Sequence, residues 1–490
     1  MAWDSEHHEA VIVGTGFSGI AMGIALRAAG REFVMLEKAA EVGGVWRDNR
    51  YPGCASDVPA HLYSYSFEPN PYWSQTYAPS DEIQDYLLFC VEKYHLRQHI
   101  HTGSTVQQAI YNEATGRWTL TVASAWGSTR QVTTDALILG IGALHEPVIP
   151  EIPGLPDFAG EVRHTAAWDP GMSVLSRRVG VIGTGSSGVQ VIPPLAEDAE
   201  QLSVFQRSPA WVLPRGNEEY TEEQVDRFER HPSSAQALRA IQRTQLEARS
   251  LALTTQPALR KVLTAQAKRH LQKSVADKAL RAKLTPSDAL GCKRFLMSDA
   301  YYPALMRDTV EVVTDAIDHI EPDAIVTASG QRHHVDVLVL ATGFDPVGSY
   351  RDLSIAGLRG RVLGREFARD AETYLGVSAP HFPNLFMLLG PNTLLGHSSE
   401  VLMVEAQVAL VTSLLAERER RGATSVAVRP EIVPGFLADI DRRSARSAWR
   451  SGCTSWYLNA QGHNRTLWPG SVREYEKRAT KPEFVDYVFA

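Results

Sequence analysis

Cysteine is scarce in this sequence, positive charge is not in excess, and no long apolar run occurs. The four cysteines, Cys54, Cys90, Cys292 and Cys453, form no Cys-x-x-Cys pair, and no Cys/His grouping has zinc-site spacing. This argues against a thiol–disulfide reductase and leaves no expected metal. A disulfide framework is not expected, and the expected compartment is the reducing cytoplasm. Net charge is −7, so a nucleic-acid partner has no electrostatic support. No run approaches the ~18 apolar residues that suggest a bilayer span, so no membrane partner is expected. The most apolar helical stretch, residues 401–415, contains Glu405 and Gln407 and reads as a buried helix. The acidic N-terminus (Asp4, Glu6, Glu9) enters a strand by Ala10 and leaves no room for a signal peptide. The 490 residues, 44% hydrophobic and 21% charged, suit a globular protein of two or three domains.

Two glycine-rich fingerprints stand out. In the first, an apolar strand at 11–13 runs into Gly14-Thr15-Gly16-Phe17-Ser18-Gly19 and then a helical stretch. Gly14 permits the tight turn, Gly16 lets backbone approach a pyrophosphate, and Gly19 allows helix to pack on strand. The pyrophosphate then faces the positive end of the helix. The next strand, 33–36, ends at Glu37, 23 residues after Gly14, where an acid accepts hydrogen bonds from ribose hydroxyls. The second fingerprint is Gly183-Thr184-Gly185-Ser186-Ser187-Gly188, with Gln190 two residues on. The residue matching Glu37 is Gln206, followed by Arg207 and Ser208. A carboxylate repels a 2′-phosphate, whereas an arginine pairs with it. The first site therefore suits an adenosine with free ribose hydroxyls and the second suits NADPH.

An internal echo supports two nucleotide units. Residues 135–142 (DALILGIG) resemble 336–343 (DVLVLATG), each reading as a buried parallel strand that begins at an aspartate and ends at a glycine. The second closes through Ala341, Thr342 and Gly343. The expected fold is α/β, with two interleaved Rossmann-like dinucleotide-binding domains. Residues 1–145 and 370–490 form the first, and 146–215 and 295–350 the second. Residues 216–294, rich in Glu, Gln, Arg, Lys, Ala and Leu, read as a helical insertion carrying Leu238, Ile241, Leu246, Leu251, Leu253, Leu259, Val262 and Leu263 at loosely helical spacing.

Two further motifs carry a family resemblance. Residues 158–169, FAGEVRHTAAWD, match the pattern F-x-G-x-x-x-H-x-x-x-W-P/D. Residues 43–57, GGVWRDNRYPGCASD, match G-G-x-W, four residues, an aromatic, Pro-Gly, three residues and Asp. From residue 10 to about 470, and most weakly over 217–290, the chain resembles the type I Baeyer–Villiger monooxygenases, class B flavoprotein monooxygenases. The resemblance implies FAD in the first domain, NADPH in the second, and a ketone and dioxygen as small-molecule partners. It leaves the oligomeric state open. His164 then lies in the linker between the domains. Gly44, Val45, Trp46 and Tyr63 line the flavin with Phe17 and Ser18, and Lys38 and Val106 join the cofactor contacts. Asp57 sits near the reactive face, Lys293 binds the NADPH phosphate with Arg207 and Ser208, and Arg294 stands over the flavin. Trp456 matches a mobile C-terminal tryptophan that contacts the nicotinamide cofactor.

The chemistry implied is hydride transfer from NADPH to FAD, then dioxygen addition at flavin C4a. The resulting peroxide attacks a ketone to give an ester or lactone. That step needs a fixed cation, which Arg294 supplies, and a buried arginine needs a partner, for which Asp57 is the candidate. The residues around Trp456, YLNAQGHNRTLWPGS, depart from the cyclic-ketone branch, which leaves the substrate range open. Sulfur or nitrogen oxygenation is the alternative activity, and an NADPH oxidase or flavin reductase without oxygen transfer is a further one.

Overall fold

The computed structural model describes residues 6–346, 348–453 and 455–490, so Asp4, and Thr454 before the Trp456 motif, lie outside the described residues. Two sheets organise the chain. The larger runs, in order, Ser354–Ala356, Ser104–Asn112, Arg117–Ser124, Thr129–Leu139, His7–Val13, Phe33–Leu36 and Ile100–His101, and Leu385–Met387 also pairs with Thr129–Leu139. The smaller runs Val310–Val313, Gln201–Phe205, Arg178–Ile182, Val337–Leu340 and Glu161–His164, and its pairings are all parallel. A separate three-stranded antiparallel sheet, Ile317–Glu321, Ala324–Thr327 and Arg332–His334, precedes the last inner strand of the smaller sheet.

The inner parallel strands are strongly apolar because both their faces are covered, one by helices and the other largely by antiparallel strands. Phe33–Leu36 and Val337–Leu340 are buried at every residue. The two echoed strands differ in one respect. Val337–Leu340 lies between two parallel neighbours. Thr129–Leu139 is longer and changes partner along its length. Its first half pairs antiparallel with Arg117–Ser124, and Leu137–Leu139 pairs parallel with Leu385–Met387. Its parallel pairing with His7–Val13 begins at Thr133, two residues before the aspartate, so the aspartate does not mark the start of the strand or of its parallel part.

The insertion is helical at Glu222–Arg230, Pro232–Thr254, Pro257–Ser274 and Lys278–Lys283. Thr221 and Gln224 form a capping box, and prolines occupy the first helical positions at Pro232 and Pro257. Leu246 and Leu253 are buried, but Ile241, Leu251, Leu259 and Val262 are exposed. The apolar spacing thus marks helix without marking one continuous buried face. The second of these helices leans on both flanking regions: Arg239 donates to the carbonyls of His61 and Ser64 at 2.6 and 2.9 Å, and Ser250 donates to the carbonyl of Gly470 at 3.2 Å.

The cysteines contradict one expectation. Cys292 and Cys453, 161 residues apart, form a disulfide, while Cys54 and Cys90 are buried thiols. No spacing rule relates Cys292 to Cys453, and only the fold brings their Cα atoms to 6.1 Å. The absence of Cys-x-x-Cys pairs therefore supplies no argument for a reducing compartment. Among the described residues no helix is long and apolar enough to cross a membrane, and no group of three or more His, Cys, Asp or Glu could hold a metal ion.

Candidate active site

At the first fingerprint, His7–Val13 ends in Gly14, whose φ of +97° favours glycine. A Cβ on Gly19 would lie 1.9 Å from the Gly14 carbonyl oxygen, so the helix Phe17–Ala28 can sit this close to the strand only with glycine there. Gly16 precedes that helix, and no side chain caps its first N–H groups, which fits a pyrophosphate. Glu37 lies where the spacing predicts, buried, but both its oxygens are engaged. Thr15 donates to Oε2 through its backbone N–H and hydroxyl at 3.1 and 2.6 Å, and Ala39 N–H and Arg47 donate to Oε1 at 2.9 and 3.1 Å. A ribose at Glu37 must displace one of these donors, because a carboxylate has about four acceptor sites. Arg47, which the spacing did not point to, thus belongs to this site. Lys38 pairs with Glu146 at 3.2 Å, and Val106 is buried at an irregularity in its strand pairing.

The second fingerprint repeats the geometry. Gly183 has φ +108°, and a Cβ on Gly188 would lie 2.3 Å from the Gly183 carbonyl oxygen. Gly185 has nothing near its missing Cβ, and the helix Ser186–Asp198 begins there without a side-chain cap. Ala341 N–H donates to the Ile182 carbonyl at 2.9 Å, the Val148 N–H to the Gly343 carbonyl at 2.9 Å, and the Thr342 hydroxyl to the Val148 carbonyl at 2.5 Å. Lys293 donates to the Ser208 hydroxyl at 3.0 Å and pairs with Asp288 at 3.3 Å, while the Thr184 hydroxyl reaches the Ser208 carbonyl at 3.4 Å. Arg207 is exposed at the end of the strand Gln201–Phe205.

Between the fingerprints the structure joins Arg294 to Asp57. Arg294 Nε and Nη2 both reach Asp57 Oδ2, at 2.9 and 2.8 Å, and Nη1 donates to the Leu395 carbonyl at 3.0 Å. The Asp57 carboxylate holds Arg294 above its already high ordinary value, against burial, which pulls it down. About a third of each side chain is exposed, so the pair is neither sealed nor freely solvated. The loop carrying Asp57 is anchored on the second unit. The Tyr51 hydroxyl donates to Gln190 Oε1 at 2.7 Å, Gln190 Nε2 donates to the Ala55 carbonyl at 2.9 Å, and a Cβ on Gly53 would lie 2.5 Å from the Gln190 carbonyl oxygen. Arg215 donates to the Ser56 carbonyl at 2.7 Å and lies over the Tyr77 ring. Near the same loop, Trp46 Nε1 donates to the Tyr63 hydroxyl at 3.2 Å, and Phe17 packs edge-on against Tyr63 at 5.2 Å.

The start of the helix Glu400–Arg420 closes the other side. His397 Nδ1 and Nε2, Ser398 Oγ, Ser399 Oγ and Glu400 Oε2 are buried and have no hydrogen-bond partner among the described residues. So many orphaned polar atoms in four consecutive residues are unusual in a folded interior. They fit the polar edge of a flavin ring lying against Trp46 and Tyr63. Burial, with Arg294 nearby, pushes His397 down to about 3, and burial pushes Glu400 up to about 8.

Comparison with known proteins agrees with this geometry. A family model described as flavin-binding monooxygenase-like matches residues 7–357. A Baeyer-Villiger monooxygenase of Streptomyces coelicolor is 36% identical over 485 residues, covering 98% of this chain and 92% of that protein. One of Pseudomonas aeruginosa is 38% identical over 469 residues, covering 95% of this chain and 88% of that protein. The chain belongs to the flavin-binding monooxygenase-like family, among its Baeyer–Villiger monooxygenases. A solved structure of an oxidized steroid monooxygenase bound to NADP superposes with a TM-score of 0.88 at 32% identity, over 99% of both chains. A closed crystal structure of cyclohexanone monooxygenase gives 0.87 at 29% identity, also over 99% of both chains. The fold is α/β with two Rossmann-like units, as in these relatives.

In this Baeyer–Villiger monooxygenase the motif at residues 158–169, expected in a linker, is part of the smaller sheet, with Glu161–His164 as its edge strand beside Val337–Leu340. Phe158 and Trp168 are buried in the cores flanking the smaller sheet, and a Cβ on Gly160 would lie 2.4 Å from the Asp336 carbonyl oxygen. His164 ends the edge strand Glu161–His164, accepts from the Ala166 N–H at 3.1 Å, and packs edge-on against Phe344 at 5.8 Å. Asp169 accepts from the Gly171 N–H at 2.9 Å. Trp456 is 47% exposed and packs edge-on against Tyr457 at 4.6 Å. Tyr457, which the motif reading passed over, is the buried member of the pair. Burial and the nearby carboxylates push it up to about 12, while Arg294 pulls it down. Glu400 was missed too, since the apolar stretch taken as a buried helix began at residue 401. A charged residue opening an apolar helix was the available signal.

Proposed function

We propose that this chain binds FAD at the first fingerprint and NADPH at the second, and uses dioxygen to insert one oxygen atom beside a ketone carbonyl, yielding an ester or lactone. The observation that carries the reading is the Arg294–Asp57 pair, held between two dinucleotide sites beside Trp46 and Tyr63. Bound flavin and NADPH supply the electron transfer and oxygen activation. The protein supplies position and charge. Asp57 and the Leu395 carbonyl hold Arg294 in one direction, so its charge needs no reorganisation when negative charge develops nearby. Arginine stays protonated at any working pH, which a lysine in a partly buried site does not guarantee. Trp456, exposed and adjacent to buried Tyr457, is the residue we assign to closure over the nicotinamide end.

The domain assignment follows. Residues 1–145 and 348–490 make the FAD-binding domain, because Ser354–Ala356 pairs with Ser104–Asn112 in the larger sheet and Tyr350 and Phe367 lie in its core, while 146–215 and 295–346 make the NADPH-binding domain and 216–294 the helical insertion. Gly14, Gly16, Phe17, Ser18, Gly19, Glu37, Lys38, Gly44, Val45, Trp46, Tyr63 and Val106 serve FAD. Gly183, Thr184, Gly185, Ser186, Ser187, Gly188, Gln190, Ala341, Thr342 and Gly343 serve NADPH. We place the enzyme in the cytoplasm, on its demand for NADPH.

The test is a ketone panel run with NADPH, with products identified by mass spectrometry. Ester or lactone equal to NADPH consumed supports the reading, and peroxide release alone overturns it. Lys293, Ser208 and Arg207 would take the 2′-phosphate. Arg207→Ala is therefore expected to raise KM for NADPH roughly tenfold to a hundredfold, the worth of one charged contact. KM for NADH should change little, and steady-state kinetics with both cofactors checks the difference.

A further inference from the structure

Leu395 is tied at both ends. Its carbonyl accepts from Arg294 Nη1 at 3.0 Å, and its N–H donates to Glu400 Oε1 at 2.8 Å. A continuous path thus runs from Glu400 through Leu395 to Arg294 and on to Asp57. Glu400 is the first residue of the helix Glu400–Arg420, so its backbone is fixed by a long element whose next four residues are buried. Its other oxygen, Oε2, is buried without a partner among the described residues. A carboxylate oxygen left so is costly, whereas a carboxylic acid there can donate.

We propose that Glu400 is a positioning residue for Arg294, acting through Leu395, and that its carboxyl group is the proton-carrying member of this site. The proposal rests on the reading of Arg294 as the cation of the oxygenation. Burial first, and then Asp57, push the Glu400 carboxyl up, while the Leu395 N–H and Arg294 pull it down, and the result is about 8. The other groups that face it are Arg294 and Asp57 across the site, Tyr63 and Tyr457 from neighbouring loops, and His397 on its own segment. Burial keeps His397 neutral and pushes both tyrosines up, so these three hold their neutral forms through mildly alkaline pH. With Glu400 protonated, Arg294 and Asp57 balance. Once Glu400 ionises, the site carries a net negative charge and steadies a developing anion less well.

Three forms of the holoenzyme test this: wild type, Glu400→Gln and Glu400→Ala. The glutamine variant keeps an acceptor for the Leu395 N–H and cannot ionise. At neutral pH it is expected to form product faster than the alanine variant, because it retains that hydrogen bond. Wild type should show a pH-dependent step near 8 in the visible absorption of the bound oxidised flavin and in product formation. The glutamine variant should lack both. The alanine variant, with FAD content and melting temperature checked, should form product roughly tenfold more slowly, with more peroxide released. A glutamine variant that retains the spectral step overturns the proton-carrying role, and an alanine variant with wild-type rate and coupling overturns the positioning role. An Arg294→Ala variant that still makes ester would instead overturn the underlying assignment of Arg294, which separates the two failures.

Discussion

Replacing Arg294 with alanine is expected to leave reduction of the flavin by NADPH intact and to lower ester formation about a hundredfold to a thousandfold, the cost of removing one preorganised charge stabiliser. The two half-reactions separate because they use different parts of the site. On the proposed reading, reduction depends on bringing the nicotinamide to the flavin, a task assigned to the two fingerprints and the Lys293–Ser208 contact. Oxygen transfer depends on a fixed positive charge, and Arg294 is the arginine that meets Asp57 and the Leu395 carbonyl together. The substitution also leaves Asp57 without its guanidinium, so an uncompensated carboxylate remains in a half-buried site. Arg294→Lys restores charge, but it cannot reproduce three directed contacts to two acceptors. Stopped-flow reduction monitored at the flavin band, run beside product analysis, checks the separation. Parallel loss of both rates would show that Arg294 acts in cofactor binding instead.

Removing the disulfide is expected to be the most destabilising change outside the cores. Cys292 and Cys453 close a loop of 161 residues, for which the chain-entropy model gives about 5 kcal/mol. Spread over a chain of 490 residues, that corresponds to a fall in Tm of about 5 °C. Cys453→Ser, and wild type under strong reductant, should show the same shift in a thermal melt. An unchanged Tm under both conditions would mean that the bond contributes nothing to the native state. The loss should also reach the site, because Cys292 immediately precedes Lys293 and Arg294, and Cys453 lies three residues before Trp456. Without the bond, the segment bearing the candidate cation and the segment bearing the candidate closing tryptophan lose their covalent tie. Increased peroxide release at unchanged flavin reduction would report that.

Much of the nucleotide chemistry was legible because it depends on local backbone. A strand, a glycine turn and a helix N-terminus occupy consecutive residues, and the steric demand at Gly19 or Gly188 is met by carbonyls five residues earlier in the chain. Glu37 was found by spacing, though its engagement by Thr15, Ala39 and Arg47 was not, because Arg47 reaches it from a different turn. The linker motif was legible as a pattern, yet the burial of Phe158 and Trp168 and the close approach at Gly160 are contacts with residues far along the chain.

The sequence by itself determined two dinucleotide sites of different ribose preference, an α/β fold and a helical insertion, since each follows from spacing along one stretch of chain. The family resemblance had already named Asp57 as the partner of Arg294, and the tertiary structure decided which other side chains share the centre. Asp57, Arg294, Leu395, Glu400 and Tyr457 come from segments separated by up to 237 residues between hydrogen-bonded partners. It also decided that Cys292 and Cys453 meet, across 161 residues. Periodicity and motif spacing carry information only over the few residues that one turn, strand or helix spans. Contacts at these separations are set by how the sheets and the insertion pack against one another.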